Sequence, residues 1–156
     1  PEIPANTGNI GRTCVAAGAR LHLIEPLDPV DREKFKTGWD GLLAQLDVRT
    51  YIDFEDFLDQ NPGARIYMAT TKAHQIYTEV HYEPDCYIMF GKESAGIPEE
   101  ILVDYEDTCI RIPMIGEIRS LNLGNSAAIV LYEALRQNGF AGMNLEGHLH
   151  RLDWKE

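Results

Sequence analysis

The sequence predicts an α/β domain with a mainly parallel sheet flanked by helices, because short strand-like runs alternate with helical patterns along the chain. At 156 residues the chain has the length of one ordinary domain, so we expect a single domain over residues 1–156. Its 44% hydrophobic residues suffice for a core. The chain opens at Pro1 with loop-like residues, which predicts a further short strand upstream of residue 1.

Five runs rich in β-branched, aromatic and other apolar residues have the composition of strands. They are Arg20–Glu25, Val48–Tyr51, Arg65–Thr70, Cys86–Phe90 and Thr108–Ile112. The order in which these strands pair cannot be derived from their pattern.

Helices are predicted between these strands from residues that commonly begin or end a helix. The first, Asn9–Ala17, ends before Gly18, and Asp53 caps the second through its side chain. Pro98 suits the first position of a short third helix, which runs to Val103. The strongest pattern covers Asn125–Gln137 and stops at Asn138-Gly139.

Charge and cysteine content limit the possible functions. With 14 Lys and Arg against 25 Asp and Glu, the net charge is −11, which excludes non-specific coating of nucleic acid as the main role. A local basic site remains compatible with it. The three cysteines, Cys14, Cys86 and Cys109, form neither a disulfide framework nor a CxxC site. Together with the lack of a signal-peptide pattern, they predict a cytoplasmic protein.

A glycine-rich segment, Gly91–Pro98, follows the fourth predicted strand directly. Its GxxxxG spacing is that of a P-loop, but Ile97-Pro98 stands where a P-loop has Lys-Ser/Thr. A nucleoside triphosphatase is therefore excluded. A glycine-rich turn at the carboxyl end of a parallel strand is a usual ligand position. The alternative is a plain strand-to-helix turn.

A second segment, Ile112–Asn125, is a long connection with the small polar residues Ser120 and Asn122. Long ordered loops are usually functional. The helix behind it is apolar on several faces, which predicts burial partly against a second subunit. A third segment, Pro1–Arg12, places Asn9 and Arg12 on nearly one helical face, with Asn6 or Thr7 as the expected cap. Taken alone, Arg12 is better interpreted as a solvated surface residue.

Together the three segments resemble the SPOUT class of AdoMet-dependent RNA methyltransferases. The resemblance is to the small subgroup that methylates the ribose 2′-oxygen of the wobble nucleotide of tRNA. The family pattern has a start of the form PEIPxNTGNIxR, then FGxExxGxP, then IPMxxxxRSxNLxN before a helix with VxYE. These match Pro1–Arg12, Phe90–Pro98, Ile112–Asn125 and Val130–Glu133, within a resemblance that extends from Pro1 to about Gly142.

The resemblance implies a trefoil knot in the C-terminal half and a homodimer with each active site near the subunit interface. It implies that Arg12 is the catalytic arginine and that Tyr132 is a further functional residue. It also implies that S-adenosyl-L-methionine (AdoMet) binds in a bent conformation within the knotted loops. After methyl transfer the cofactor leaves as S-adenosyl-L-homocysteine. The residues expected to hold this cofactor are Ala69, Gly91, Gly96, Ile112, Ser120 and Asn122.

The expected partner is the anticodon stem-loop of tRNA. The candidate RNA contacts are Asn9, Lys36, Lys92 and Arg119. Lys72 and Arg111 lie close in sequence to segments that are expected at the same site. Glu93 is expected to hydrogen-bond within the cofactor loop. The sequence departs from the family at Ala95, where Arg or Lys is usual, at Gly124, where Ser is usual, and in residues 35–41.

We expect no metal, and we interpret His148 and His150 as part of a frayed tail. Because a guanidinium stays protonated, Arg12 is assigned an electrostatic role at the developing alkoxide and the neighbouring phosphate. Two alternatives remain open. One is 2′-O-methylation of another tRNA or rRNA ribose, and the other is a catalytically silent module that binds AdoMet or RNA.

Overall fold

The computed structural model describes residues 4–24, 45–118 and 120–155. Helices and strands are interspersed along the chain as the sequence predicts, although two pairs of strands follow one another with no described helix between them. In chain order they are α1 (Pro4–Ala17), β1 (Leu21–Ile24), β2 (Val48–Tyr51), α2 (Phe54–Gln60), β3 (Ile66–Ala69), β4 (Tyr87–Phe90), α3 (Glu99–Leu102), a 3₁₀ segment (Val103–Thr108), β5 (Cys109–Ile110) and α4 (Leu123–Gln137).

The strands pair only in parallel within these described ranges, which confirms the predicted fold class. Hydrogen bonds divide them into a two-stranded sheet, β1-β2, and a three-stranded sheet in the order β4-β3-β5. Aromatic rings connect the two sheets. The His22 ring of β1 lies 5.3 Å from that of Tyr87 in β4, and its Nδ1 is 2.8 Å from the hydroxyl oxygen of Tyr51 in β2.

Strand β3 is buried on both faces, as expected for the centre of a parallel sheet. Its residues Ile66 and Met68 belong to the core cluster that includes Phe57 of α2 and Leu102 of α3. The intervening Tyr67 packs in a second cluster with members from the other side of the domain, Tyr82, Ile110, Val130 and Ala134. This alternation places α4 on one face of the sheet and α2 and α3 on the other.

Three predicted caps are confirmed. The Asp53 carboxylate accepts a hydrogen bond of 2.8 Å from the Asp56 backbone N–H and begins α2. Gly18 follows α1 at a φ of +70°, a left-handed conformation that glycine adopts without strain. Helix α4 ends at Asn138, which is followed by Gly139 with a φ of +74°.

The predicted cap of the first helix is wrong. Helix α1 begins at Pro4, so Asn6 and Thr7 lie inside its first turns and not before them. Proline suits this place because the first turn of a helix requires no backbone N–H donors. The buried positions Asn6, Ile10 and Cys14 then follow one another at intervals of four residues, along the face that meets the rest of the domain.

Other predicted boundaries shift by a few residues. Helix α4 begins at Leu123 and not at Asn125, because the Asn122 side chain accepts from the Asn125 backbone N–H at 3.2 Å. Pro98 precedes α3 as its cap residue and does not occupy its first position. The last predicted strand is wrong at both ends, since β5 contains Cys109 and Ile110 alone. Arg111 instead forms an isolated bridge with Ile76.

Candidate ligand-binding site

A cavity of about 450 Å³ lies at the carboxyl ends of β3, β4 and β5. Its walls come from the loops that follow these strands, from the start of α4 and from Asn6 of α1. Adjacent strands of a parallel sheet end at one edge, and ligands of open α/β domains bind there. The cavity is therefore where the fold class predicts a binding site.

All six residues predicted to bind the cofactor line this cavity, although they come from three separate parts of the chain. They are Ala69, Gly91, Gly96, Ile112, Ser120 and Asn122. The structure thus brings the segments after β3, β4 and β5 to one place. The apolar part of the wall includes Phe90, Ile97 and Val130.

The loop after β4 is closed so tightly that two of its glycines are required. A Cβ atom on Gly91 would overlap the backbone of Gly96 and Ile97. Gly96 has a φ of +69°, and its N–H donates a 2.9 Å hydrogen bond to the carbonyl oxygen of Lys92. Ile97 is buried and fixes the loop to the core. This geometry presents backbone groups to the cavity without side-chain bulk.

Asn6 is a site residue that the sequence reasoning missed, because it was interpreted as a helix cap. Only 3% of its surface is exposed, and its Nδ2 donates a 3.1 Å hydrogen bond to Oε1 of Glu93 in the loop after β4. Helix α1 is thereby connected to the cavity wall. The proline at position 4 and the four-residue spacing from Asn6 to Ile10 were signals that could have placed it on a buried face.

Gly124 allows α1 and α4 to approach closely. A Cβ atom there would lie 3.2 Å from Oδ1 of Asn122, 3.4 Å from Oδ1 of Asn6 and 3.4 Å from Cβ of Asn9. The Cβ of the serine that is usual in the family would lie closer to Oδ1 of Asn122 than an ordinary contact and would touch Asn6 and Asn9. The departure at Gly124 is thus accommodated by the packing of two helices, and Asn9 is placed at their contact.

The two predicted catalytic residues lie outside the cavity of their own chain. Arg12 is exposed on α1, six residues after Asn6, which corresponds to about 9 Å along the helix. Tyr132 is on α4 and is 38% exposed. Neither side chain lines the cavity. If both act on a bound substrate, that substrate has to extend beyond the cavity, or a second subunit has to supply them.

Three cationic residues belong to the wall of the cavity, namely Lys72, Lys92 and Arg111. Lys92 is one of the four predicted RNA contacts, whereas Lys36 and Arg119, two of the others, lie outside the described residues. The rim therefore carries positive charge on a protein whose net charge is −11.

The C-terminal half of α4 is fixed by a buried carboxylate. Glu133 accepts hydrogen bonds from Nε of Arg136 at 2.7 Å, Nη2 of Arg136 at 3.0 Å and Nε2 of Gln137 at 3.0 Å. The pKa of Glu133 is lowered mainly by the hydrogen bond from Arg136. The hydrogen bond from Gln137 lowers it too, whereas desolvation by burial raises it. Gln137 also accepts from the backbone N–H of Tyr82 and donates to the carbonyl oxygen of Val80.

The thiols are unsuited to nucleophilic chemistry. Burial raises the pKa of Cys14 and of Cys86 to about 11, and it raises that of Cys109 too. All three are free thiols that remain protonated near neutral pH. Within the described ranges no three His, Cys, Asp or Glu side chains are grouped as metal ligands, and His148 and His150 lie in the exposed, irregular segment after α4. None of the helices described there is both long and apolar enough to cross a membrane.

A parallel sheet flanked by helices, with a glycine-lined cavity at its carboxyl edge, defines this protein as an open α/β domain with a candidate small-molecule site. The sequence specifies the group more closely. The chain belongs to the SpoU rRNA Methylase family, which matches residues 1–132.

Named relatives and solved structures resemble the chain over most of its length. The tRNA (cytidine(34)-2′-O)-methyltransferase of Saccharophagus degradans is 43% identical over 91% of this chain and 94% of its own. A solved structure described as "Structural insights into the 2-OH methylation of C/U34 on tRNA" is 37% identical, with a TM-score of 0.79, over 90% of this chain and 92% of that one. An AdoMet-bound rRNA methyltransferase from Sinorhizobium meliloti is 29% identical, with a TM-score of 0.71, over 86% of this chain but 52% of that one.

Proposed function

We propose that this protein transfers a methyl group from AdoMet to the ribose 2′-hydroxyl of the wobble nucleotide, a cytidine or a modified uridine, in the tRNA anticodon. The observation that carries the proposal is the meeting of the three motif segments at one cavity, with Asn6, Gly91 and Ser120 on its wall. The S. degradans relative, which acts on cytidine 34, supports the choice of substrate. We place the enzyme in the cytoplasm and its RNA contact at the anticodon stem-loop.

The cavity suits a molecule of the size and chemistry of AdoMet. Its volume of about 450 Å³ falls in the usual range of small-molecule sites, roughly 300–1,000 Å³. Apolar side chains such as Phe90 and Leu121 can pack on an adenine ring, and backbone groups near Gly91 and Ile112 can hydrogen-bond its polar edge. The AdoMet-bound S. meliloti structure supports this assignment. When bound, the cofactor supplies a methyl group made electrophilic by its sulfonium centre.

The task of the chain is to align the ribose oxygen and to stabilise its charge. Arg12 cannot act as a literal base because its guanidinium stays protonated. As the ribose hydroxyl loses its proton to solvent, the exposed Arg12 stabilises the negative charge that develops on the oxygen and contacts the adjacent phosphate through its planar fork of donors. The exposed position of Arg12 on α1 fits a contact with a large polyanion. Loops around the cavity align the reactants and exclude water.

The active enzyme is a homodimer in this proposal, with each active site near the subunit interface. Arg12 and Tyr132 are exposed, and neither lines the cavity of its own chain. Exposed apolar side chains lie in the loop before α4, including Ile115, Ile118 and Leu121. A second copy of the chain would cover such a surface and bring further side chains to the cavity.

The proposal is tested by incubating purified protein with isotope-labelled AdoMet and bulk tRNA or, in a separate reaction, rRNA, followed by mass spectrometry of the released nucleosides. We expect labelled 2′-O-methylcytidine or a 2′-O-methylated modified uridine. A label in base methyl groups would contradict the proposed atom, and labelling of rRNA alone would identify another ribose as the target. Absence of transfer to every RNA tested would favour a silent binding module.

A further inference from the structure

An ion pair beside the cavity joins the turn after β3 to the start of α3. Nζ of Lys72, in the turn after β3, lies 3.4 Å from Oε1 of Glu99 in the first turn of α3. The backbone N–H of Lys72 donates to Oγ1 of Thr70 at 3.2 Å, so the base of this side chain is held in a local turn. Lys72 lines the cavity, and α3 begins directly after the glycine-rich loop.

This ion pair is easily broken. The Lys72 side chain is 56% exposed and that of Glu99 is 66% exposed, and exposed pairs of this kind contribute little to stability. Water and salt compete with each partner. A phosphate group that comes near the rim can therefore replace Glu99 as the partner of Lys72 without disturbing the fold.

We propose that Lys72 binds a backbone phosphate of the substrate RNA next to the cavity and that Glu99 pairs with the Lys72 ammonium group until the RNA binds. The inference rests on the proposed function, because it takes the ligand at the rim to be RNA. It adds a substrate-binding residue, Lys72, and a carboxylate, Glu99, that lowers RNA affinity. A polyanion can bind to a protein of net charge −11 only where cations such as Lys72 are locally available.

The neighbouring carboxylate provides a matched control. Glu100 follows Glu99 in the first turn of α3 and is exposed as well. The substitutions Glu99→Gln and Glu100→Gln change the net charge equally and remove the same kind of charge from the start of one helix. A difference between the two variants therefore measures the contact with Lys72 and not the general repulsion between acidic side chains and RNA.

The experiment measures affinity for a fluorescent anticodon stem-loop by anisotropy, at low and moderate salt and with S-adenosyl-L-homocysteine present. We expect Glu99→Gln to bind about two- to fivefold more tightly than wild type, which is the range that an exposed ion pair allows. Glu100→Gln should change affinity clearly less. Lys72→Gln should bind about three- to tenfold more weakly, with a salt slope smaller by about 0.7–0.9, the contribution of one phosphate contact.

The double variant Lys72→Gln/Glu99→Gln decides the mechanism. We expect it to bind like Lys72→Gln alone, because without the lysine there is no partner for Glu99 to release. Equal gains from Glu99→Gln and Glu100→Gln, or a full gain from Glu99→Gln in the absence of Lys72, would overturn the inference. Methylation by the wild type is measured in parallel. If the wild type methylates tRNA but the variants fail these expectations, only this inference is refuted, whereas failure of methylation refutes the proposed function.

Discussion

Arg12 is the residue on which the proposed chemistry depends most. If it stabilises charge that develops only in the transition state, Arg12→Ala should leave AdoMet affinity unchanged and slow methyl transfer about 10²–10³-fold. Lysine should restore the rate only in part, because a point charge lacks the planar fork that grips an oxygen and a phosphate together. Single-turnover methylation and calorimetry with AdoMet measure the two effects.

The control for this prediction is Arg20→Ala, since Arg20 is also exposed but pairs with Asp47 at 3.0 Å. Arg20→Ala should behave like wild type in both measurements. A normal methylation rate in Arg12→Ala would remove Arg12 from the mechanism, and a loss of AdoMet binding in it would give Arg12 a different role.

Gly96 tests the placement of the cofactor. Both Gly96 and Gly63 have a positive φ and open space where a Cβ would stand, so alanine should strain either backbone by about 1–2 kcal/mol. Only Gly96 lines the cavity. Calorimetry should therefore show weaker AdoMet binding for Gly96→Ala and normal binding for Gly63→Ala. Normal binding by both variants would place the cofactor elsewhere.

Single residues were predicted with uneven success, for physical reasons. Asp53 and Gly18 were predictable because caps depend on a few neighbouring residues. Asn6 was assigned to the wrong role, since the same amide can cap a helix or hydrogen-bond across the domain. Its actual partner, Glu93, is 87 residues away in sequence. Contacts of that range follow from the fold and not from local pattern.

At the scale of the element, α4 links pH to stability through Glu133. Its pKa is lowered in the folded state, chiefly by the hydrogen bond from Arg136, so ionised Glu133 stabilises the fold above its ordinary pKa of 4.5. This stabilisation disappears as the pH falls from there through the lowered value. Glu133→Gln should cost roughly 1–3 kcal/mol at pH 7 and progressively less than that below about pH 4.5.

Urea unfolding of wild type and Glu133→Gln at several pH values measures this difference. Glu146→Gln, in the exposed segment after α4, is the control and should change stability little at any pH. A gap between wild type and Glu133→Gln that stays constant down to pH 3 would show that the ionised carboxylate does not stabilise α4.

The positions of the elements followed from the sequence better than their ends did. Every predicted strand has a counterpart, because runs such as Arg65–Thr70 carry the composition of a buried strand. Boundaries depended on single contacts. The Asn122 side chain starts α4 two residues early, and Arg111 leaves β5 to bridge with Ile76. The division of the strands into two sheets depends on pairing that no local pattern encodes.

For the whole molecule, an active site near the subunit interface requires a dimer. Light scattering at micromolar concentration should give twice the 17.6 kDa of one chain.

If the partner supplies Arg12 to the cavity, co-expression of Arg12→Ala with Asn122→Ala should restore about a quarter of the wild-type activity. Half of the assemblies would then be mixed, and each of these would hold one intact site. A monomeric mass would contradict the dimer, and absence of restoration in a dimer would place Arg12 in the site of its own chain.

The cavity itself could be predicted only in outline. The sequence indicates glycine-rich and polar loops after strands, and parallel strands bring such loops to one edge. The strand order β4-β3-β5 determines which loops meet at the cavity. The packing of α1 against α4 determines that Asn6 forms part of its wall. The trefoil knot in the C-terminal half remains a prediction based on the resemblance.

The proposed methyl acceptor is one ribose oxygen, and that single atom can be removed to test the proposal. Two anticodon stem-loops are compared in transfer of labelled methyl from AdoMet. They are identical except that one has a 2′-deoxyribose at the wobble nucleotide. We expect incorporation into the all-ribose stem-loop and none into the other, with similar binding of both. Equal incorporation into the two RNAs would contradict the claim.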